Sequence, residues 1–261
     1  YTYRWSNGAT VEDITGLTKG VYNIQVTDSL GAIANNSFTV RGDAAASIVT
    51  AGLRMDSYFT NSALEFPALG SAEFNGTSDY VQLPDPFSYT NHTIAAWVYL
   101  DNVATVGKTI FDNRDANDDG IRLIQSGTLF FYQLNSHDRT ATLSAKEWYF
   151  VVATYDGSDA NLYVDGSLES SNSTSQAVST TTDARIGSSA FEVSGTMNGN
   201  LANVAIWNRA LHPDEINSIM WKSYSDLNAV DKNGLQAWYA LDNITGTTVP
   251  DSTGTNNGTA N

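Results

Sequence analysis

Along most of this chain apolar and polar residues alternate in short runs, and clusters of Gly, Asn, Asp and Ser break the runs at close spacing. A period of two between turn residues is the pattern of half-buried strands. In WYFVVATYDGSDANLYVDGSL, residues 148–168, Val151, Ala153 and Tyr155 alternate with Phe150, Val152 and Thr154. Asp156-Gly157 then turns the chain, Asn161 to Val164 runs back, and Asp165-Gly166 turns it again, since Gly takes positive φ cheaply in a tight hairpin. An antiparallel meander is predicted here. One stretch follows the helical period instead. In NRALHPDEINSIMWKSY, Pro213 suits the first helical position, Asp214 and Glu215 suit the positive end of the helix dipole, and Ile216, Ile219 and Met220 share a face. Residues 42–70 have no clear period and are assigned to a linker or irregular strand. The fold class expected is all-β with one short helix.

Composition narrows the function more than the fold. At 261 residues the chain exceeds ordinary single-domain size, although β-sandwiches reach this length, so one large domain and a smaller one are expected. Lys and Arg total 13 against 28 Asp and Glu, and a net charge of −15 repels phosphate, which argues against nucleic acid as a partner. Cysteine is absent, so disulfides, thiolate metal sites and a cysteine nucleophile are excluded. No apolar run reaches the roughly 18 residues of a membrane span, which predicts no membrane insertion by a helix. Few Lys with many Thr, Ser, Asn and Gly is the composition of secreted bacterial β-proteins, and it predicts an extracellular, cell-surface setting. The opening YTYRWSNG carries no signal-peptide pattern and reads as a fragment or a mature piece.

Candidate chemistry is concentrated in DNRDANDDG, residues 112–120, where Asp115-x-Asn117-x-Asp119-Gly120 sets three oxygen ligands on alternate residues before a sharp turn. A loop enclosing Ca²⁺ begins this way. The twelfth position of that register holds Ser126 rather than Glu, so a calcium site would take the form of a rim loop completed by Asp112 or Asp118. The same residue types also make turns without any ion. Catalytic signals are missing. The glutamates are isolated, His92, His137 and His212 fall in unrelated segments, and neither a paired-carboxylate strand nor G-x-S-x-G occurs. The chain is expected not to be an enzyme.

Five motifs in order, SAEFNGTSDYVQLPDP, HTIAAWVYL, KEWYFVVATYDGSDANLYVDG, ARIGSS and GNLANVAIWNRALHPDEI, resemble the laminin G-like, concanavalin A-like jelly roll over residues 71–222. The resemblance implies a β-sandwich, with Phe74, Tyr80, Val81, Trp97, Val98, Trp148, Val152, Tyr163, Val164, Ile206 and Trp207 on the inner faces of its two sheets. Residues 234–261, GLQAWYALDNITGTTVPDSTGTNNGTAN, resemble the opening strand and turn of the same family. They either supply a missing strand to this sandwich, making the jelly roll span 71–261, or begin another repeat. Within residues 1–41, YTYRWSNGAT, ITGLTKGVYNIQVTDSLG and SFTV resemble part of the SprB-type repeat of gliding-motility adhesins, which implies a small, partial Ig-like β-domain. The laminin G-like resemblance also implies a second calcium position at Asp251 of a D-S-x-G turn, with Asp242 nearby. Ala202 and Asn203 stand where acidic residues usually accompany it.

Together the resemblances imply a non-catalytic module of a bacterial cell-surface adhesin, set among neighbouring repeats of a larger chain. Its partner would be a glycan or cell-surface polysaccharide held by rim loops. Tyr132, Asn135, His137 and Asp138, beside the acidic loop, are the candidate contacts, because sugar sites combine aromatic platforms with polar loops. Two alternatives stay open: a fibre or decoration protein of a virion, and a carbohydrate-targeting module of a polysaccharide-degrading enzyme.

Overall fold

The computed structural model describes all residues except 1, 12–13, 18–19, 28–32, 41–45, 49–69, 104–106, 116, 118, 135–136, 176–182 and 190–194. The chain divides into two compact units, Tyr1–Glu65 and Phe66–Asn261. In the first, β1 (Thr2–Trp5), β2 (Ile14–Leu17), β3 (Gly20–Thr27), β4 (Ile33–Val40) and β5 (Ala46–Ile48) form a sheet in the order β1-β3-β4 and a β2-β5 pair. Trp5, Ile14, Ile24 and Val26 make its core, and the Trp5 indole donates to the Val11 carbonyl at 2.9 Å.

The second unit opens with β6 (Ala72–Asn75), β7 (Val81–Gln82), β8 (His92–Leu100), β9 (Lys108–Asp112), β10 (Ile121–Ser126), β11 (Leu129–Leu134) and β12 (His137–Thr142). It continues with β13 (Trp148–Tyr155), β14 (Asp159–Val164), β15 (Ser167–Ser173), β16 (Arg185–Ile186), β17 (Asn198–Trp207) and the helix α1 (Pro213–Ile219). It closes with β18 (Leu235–Tyr239), β19 (Thr248–Val249) and β20 (Gly258–Ala260). Eight strands pair in the order β12-β11-β10-β9-β16-β7-β20-β19, and seven in the order β15-β14-β13-β8-β17-β18 with β6 beside β17. The result is an antiparallel sandwich with one short helix. Residues 234–261 are built into it, because β18 pairs with β17 in one sheet and β20 with β7 in the other.

Two apolar layers hold this unit together. Phe74, Val81, Val98, Phe111, Leu123 and Ile206 belong to the cluster between the sheets. A second cluster covers the outer face of the seven-stranded sheet, where Trp97, Phe150, Val152, Tyr163 and Trp207 meet Ile216 and Ile219 of α1. Trp97, Val152, Tyr163 and Trp207 are therefore on the outer face, not the inner one expected from sequence, and Trp148 packs against the same layer. Tyr80 is only half-buried and lies under an arginine instead. The physical reason is that β8 is buried at every position but Tyr99. A strand covered on both sides reads as a continuous apolar run, so adjacent residues cannot be sorted to faces by polarity.

Local sequence explains the helix and the hairpin. Pro213 starts α1, His212 caps it, and the Glu215 carboxylate accepts the His212 N–H at 2.9 Å. Arg209 grips that carboxylate with two bonds of 2.8 and 2.7 Å, which holds it below the usual carboxylate range. The Trp97 indole donates to the Met220 carbonyl at 3.1 Å and fixes the helix end on the sheet. Asp165 and Gly166 have φ of 49° and 80°, the pair of positive values that a type I′ turn demands.

Candidate functional site

Register brings together residues that sequence keeps far apart. Gln82, Arg185, Asp112, Arg122, Gln133 and Asp138 stand opposite one another in succession on β7, β16, β9, β10, β11 and β12. Their strand neighbours Val81, Ile186, Phe111, Leu123 and Tyr132 belong to the inner core. By the period of two, these six form a polar row across the outer face of the eight-stranded sheet. At about 4.8 Å per strand the row runs roughly 24 Å.

Its centre is a buried ion cluster. Asp112 accepts the Arg114 backbone N–H at 2.9 Å and its Nε and Nη2 at 3.1 and 2.9 Å, while Arg122 Nε lies 3.7 Å away. Arg122 also donates to the Thr109 hydroxyl at 3.2 Å. All three charged side chains are less than a tenth exposed. The flanks are open to solvent. On one side Arg185 lies 4.5 Å over the Tyr80 ring and donates to Gln82 Oε1 at 3.1 Å and Asp183 Oδ2 at 3.2 Å. On the other side the Gln133 amide donates to exposed Asp138 at 2.9 Å.

Of the predicted sugar contacts, only Asp138 belongs to this row among the described side chains. Tyr132 points the other way. It is fully buried between the sheets, 2.7 Å from His92 Nε2, and burial raises its phenol pKa. Its place in the core corrects its reading as a surface contact. Burial also lowers the His92 pKa to about 4, so the ring is neutral. Asn135 lies outside the described residues, and of His137 only the backbone pairing with Leu134 is described.

The acidic loop is folded by its own carboxylates. Asp115 Oδ1 accepts the backbone N–H groups of Asn117 and Asp119 at 2.8 and 3.3 Å, and the Asp115 N–H donates to the Asp119 carbonyl at 2.9 Å. Buried Asn113 ties the loop down, donating to the Pro86 carbonyl at 2.8 Å and accepting the Ile121 N–H at 2.8 Å. Gly120 has φ 129°, and a Cβ there would sit 2.9 Å from the Arg114 backbone. At the other predicted calcium position, Asp251 Oδ1 accepts from the Trp238 and Thr253 backbones at 2.8 and 3.0 Å. Its Oδ2 accepts the Asn256 N–H at 3.0 Å and the Thr253 hydroxyl. Asp242 is partly exposed beside Gly70.

The carboxylates of Asp112 and Asp251 are already engaged, which does not suit a calcium shell, and Asp118 lies outside the described residues. Asp112 is neutralised by arginines, Asp251 already accepts four hydrogen bonds, and no group of three acidic or imidazole ligands converges among the described residues. What sequence reasoning missed is the row itself: Gln82, Arg122, Gln133 and Arg185. The available signal was a single charged residue inside an apolar run, as in IRLI and ARIG, which marks an outward position.

A two-layer antiparallel sandwich with one sheet roofed by a helix and the other floored by polar side chains is the architecture of a lectin-type jelly roll. Residues 75–217, more than half of the chain, match the laminin G type of the concanavalin A-like lectin/glucanases superfamily, and the chain belongs to this family. Among solved structures, a candidate carbohydrate-binding protein from Bacteroides ovatus aligns with 94% of this chain and 68% of its own, at 18% identity and a TM-score of 0.63. Domain 4 of the extracellular arabinanase AbnA from Geobacillus stearothermophilus, solved with arabinotriose, aligns with 64% of this chain and 84% of its own, at 19% identity and a TM-score of 0.50. At these identities the likeness is one of fold. Among curated proteins nothing matches the sequence. No helix among the described residues is long and apolar enough to cross a membrane.

Proposed function

We propose that the chain is a non-catalytic carbohydrate-binding module displayed outside the cell, within a larger surface adhesin. The observation that carries this reading is the polar row across the eight-stranded sheet. Amides, a guanidinium and carboxylates in fixed positions beside the Tyr80 ring are what a saccharide needs: paired donors and acceptors next to an aromatic face. Each carboxylate of the row, and Asp183 beside it, is engaged by an arginine or an amide. Such groups hold a floor in place; a catalytic acid must be free to exchange its proton.

The named neighbours support the ligand class. One is a candidate carbohydrate-binding protein, and the other is an arabinanase domain solved with arabinotriose. The adhesin setting rests on the SprB-like pattern within residues 1–41, whose described strands β1, β3 and β4 form a sheet. Binding through one module is weak and is strengthened when modules repeat along a chain.

A glycan array followed by isothermal titration tests the reading. Arg185→Ala and Gln133→Ala each weaken the best array hit by about tenfold or more, with unchanged melting temperature. No hit on the array, or hits insensitive to both substitutions, sinks it.

A further inference from the structure

The helix roofs only part of the seven-stranded sheet. Register sets Trp148, Tyr99, Asn200 and Glu73 in a row across β13, β8, β17 and β6. Their strand neighbours Val98, Leu100, Leu201 and Phe74 belong to the core between the sheets, so this row faces outward. One step along the same face, Trp97 and Phe150 lie beneath the roof, and Trp221, just after α1, sits 5.0 Å from Trp97. Beyond that point α1 no longer covers the face. Trp148 and Tyr99 are partly exposed, with ring centroids 5.5 Å apart, and Trp221 is 39% exposed. The Asn200 amide, which donates to the Ser71 hydroxyl at 3.2 Å, and exposed Glu73 complete the row.

An aromatic face is electron-rich and attracts the polarised C–H bonds of a sugar ring, and an amide beside a carboxylate offers a donor and an acceptor to adjacent hydroxyls. Glu73 in a chain of net charge −15 repels uronic and sulfated sugars, so the matching occupant is uncharged. We propose that this shelf is a second saccharide subsite, taking a neutral pyranose, on the sheet opposite the polar row. Its ligand class rests on the reading of the module as carbohydrate-binding, while its location does not. A module with sites on two opposed faces bridges two glycan strands.

The test is a titration of the full ¹⁵N-labelled chain with cellohexaose, mannohexaose and xylohexaose, with an oligogalacturonate as the charged control, read at the indole N–H resonances. Trp148→Phe assigns the resonance of interest. At least one neutral hexasaccharide shifts the Trp148 signal, equally in wild type and in Arg185→Ala, and the oligogalacturonate does not. Glu73→Gln and Tyr99→Ala each weaken that response at least fivefold; the exposed Glu73 variant remains informative if Tyr99→Ala misfolds. A silent Trp148 with all three sugars overturns the shelf, as does an equal response to the charged control. Self-association that Trp148→Ala abolishes would make the shelf a protein contact and overturn it as well. A Trp148 response that survives while Arg185→Ala leaves array binding untouched would count against the polar row alone.

Discussion

The outer face of the eight-stranded sheet is floored by charges and amides, whereas that of the seven-stranded sheet is apolar and lies largely under α1. Both sheets give their inner faces to the same core, so the contrast comes entirely from the residues that point away from it. A sheet with apolar residues on both sides must find a second cover, and the loop after β17 supplies one in Pro213–Ile219. A sheet with a polar outer face needs no apolar cover: its central ions are buried against one another, and the flanks at Arg185 and at Gln133 and Asp138 stay open to solvent. At Trp148 and Tyr99 the same face is partly exposed.

The contrast can be broken from the polar side first. Asp112→Ala leaves the Arg114 and Arg122 guanidinium groups buried without their carboxylate, and costs about 3–5 kcal/mol of stability by chemical denaturation. Asp112→Asn is expected to fall between that variant and wild type. From the apolar side, Ile216→Ala opens a gap under the helix and costs roughly 2–4 kcal/mol. It leaves glycan binding at the polar row intact, which separates the two faces.

A third probe addresses the layer that both sheets share. His92 is held neutral by burial, with its pKa lowered to about 4 from an ordinary 6.5. The unfolded chain takes up this proton first as pH falls, so stability is full above about 6.5 and declines toward pH 4, by about 2 kcal/mol between pH 7 and pH 5. Urea melts at the two pH values check the slope, and the His92 ring signals should stay those of neutral imidazole at pH 5. The smallest effect concerns calcium. Because Asp112, Asp115 Oδ1 and Asp251 accept from arginines and backbone N–H groups, chelation with EDTA should move the melting temperature by less than about 1 °C, whereas a resident ion would stabilise the fold by mass action.

The architecture was legible wherever a local rule decides it. Asp165-Gly166 can hardly be anything but a hairpin turn, and Pro213 followed by two acids and an apolar i, i+3 pair has one good reading. Faces were not legible in β8 and β17, where a residue and its neighbour are both buried and alternation disappears. The polar row was hidden for a different reason. Gln82, Arg185, Asp112, Arg122, Gln133 and Asp138 come from six strands, and only pairing registers line them up. The acidic loop is ambiguous in sequence because Asp and Asn serve metal shells and backbone turns with the same oxygen atoms; in the fold Asp115 Oδ1 accepts two backbone N–H groups of the turn. Tyr132 was drawn to the surface by its phenol, which in fact is satisfied inside by His92.

The pairing of β20 with β7 has a temporal side. Thr259 closes on Gln82, near the opposite end of the sandwich sequence, so during synthesis the β7 edge waits for almost the whole unit to leave the ribosome. Until then it is an unmatched ribbon, prone to sticking to other chains. A chain halted before residue 258 would keep that edge open however well the rest of its core had formed.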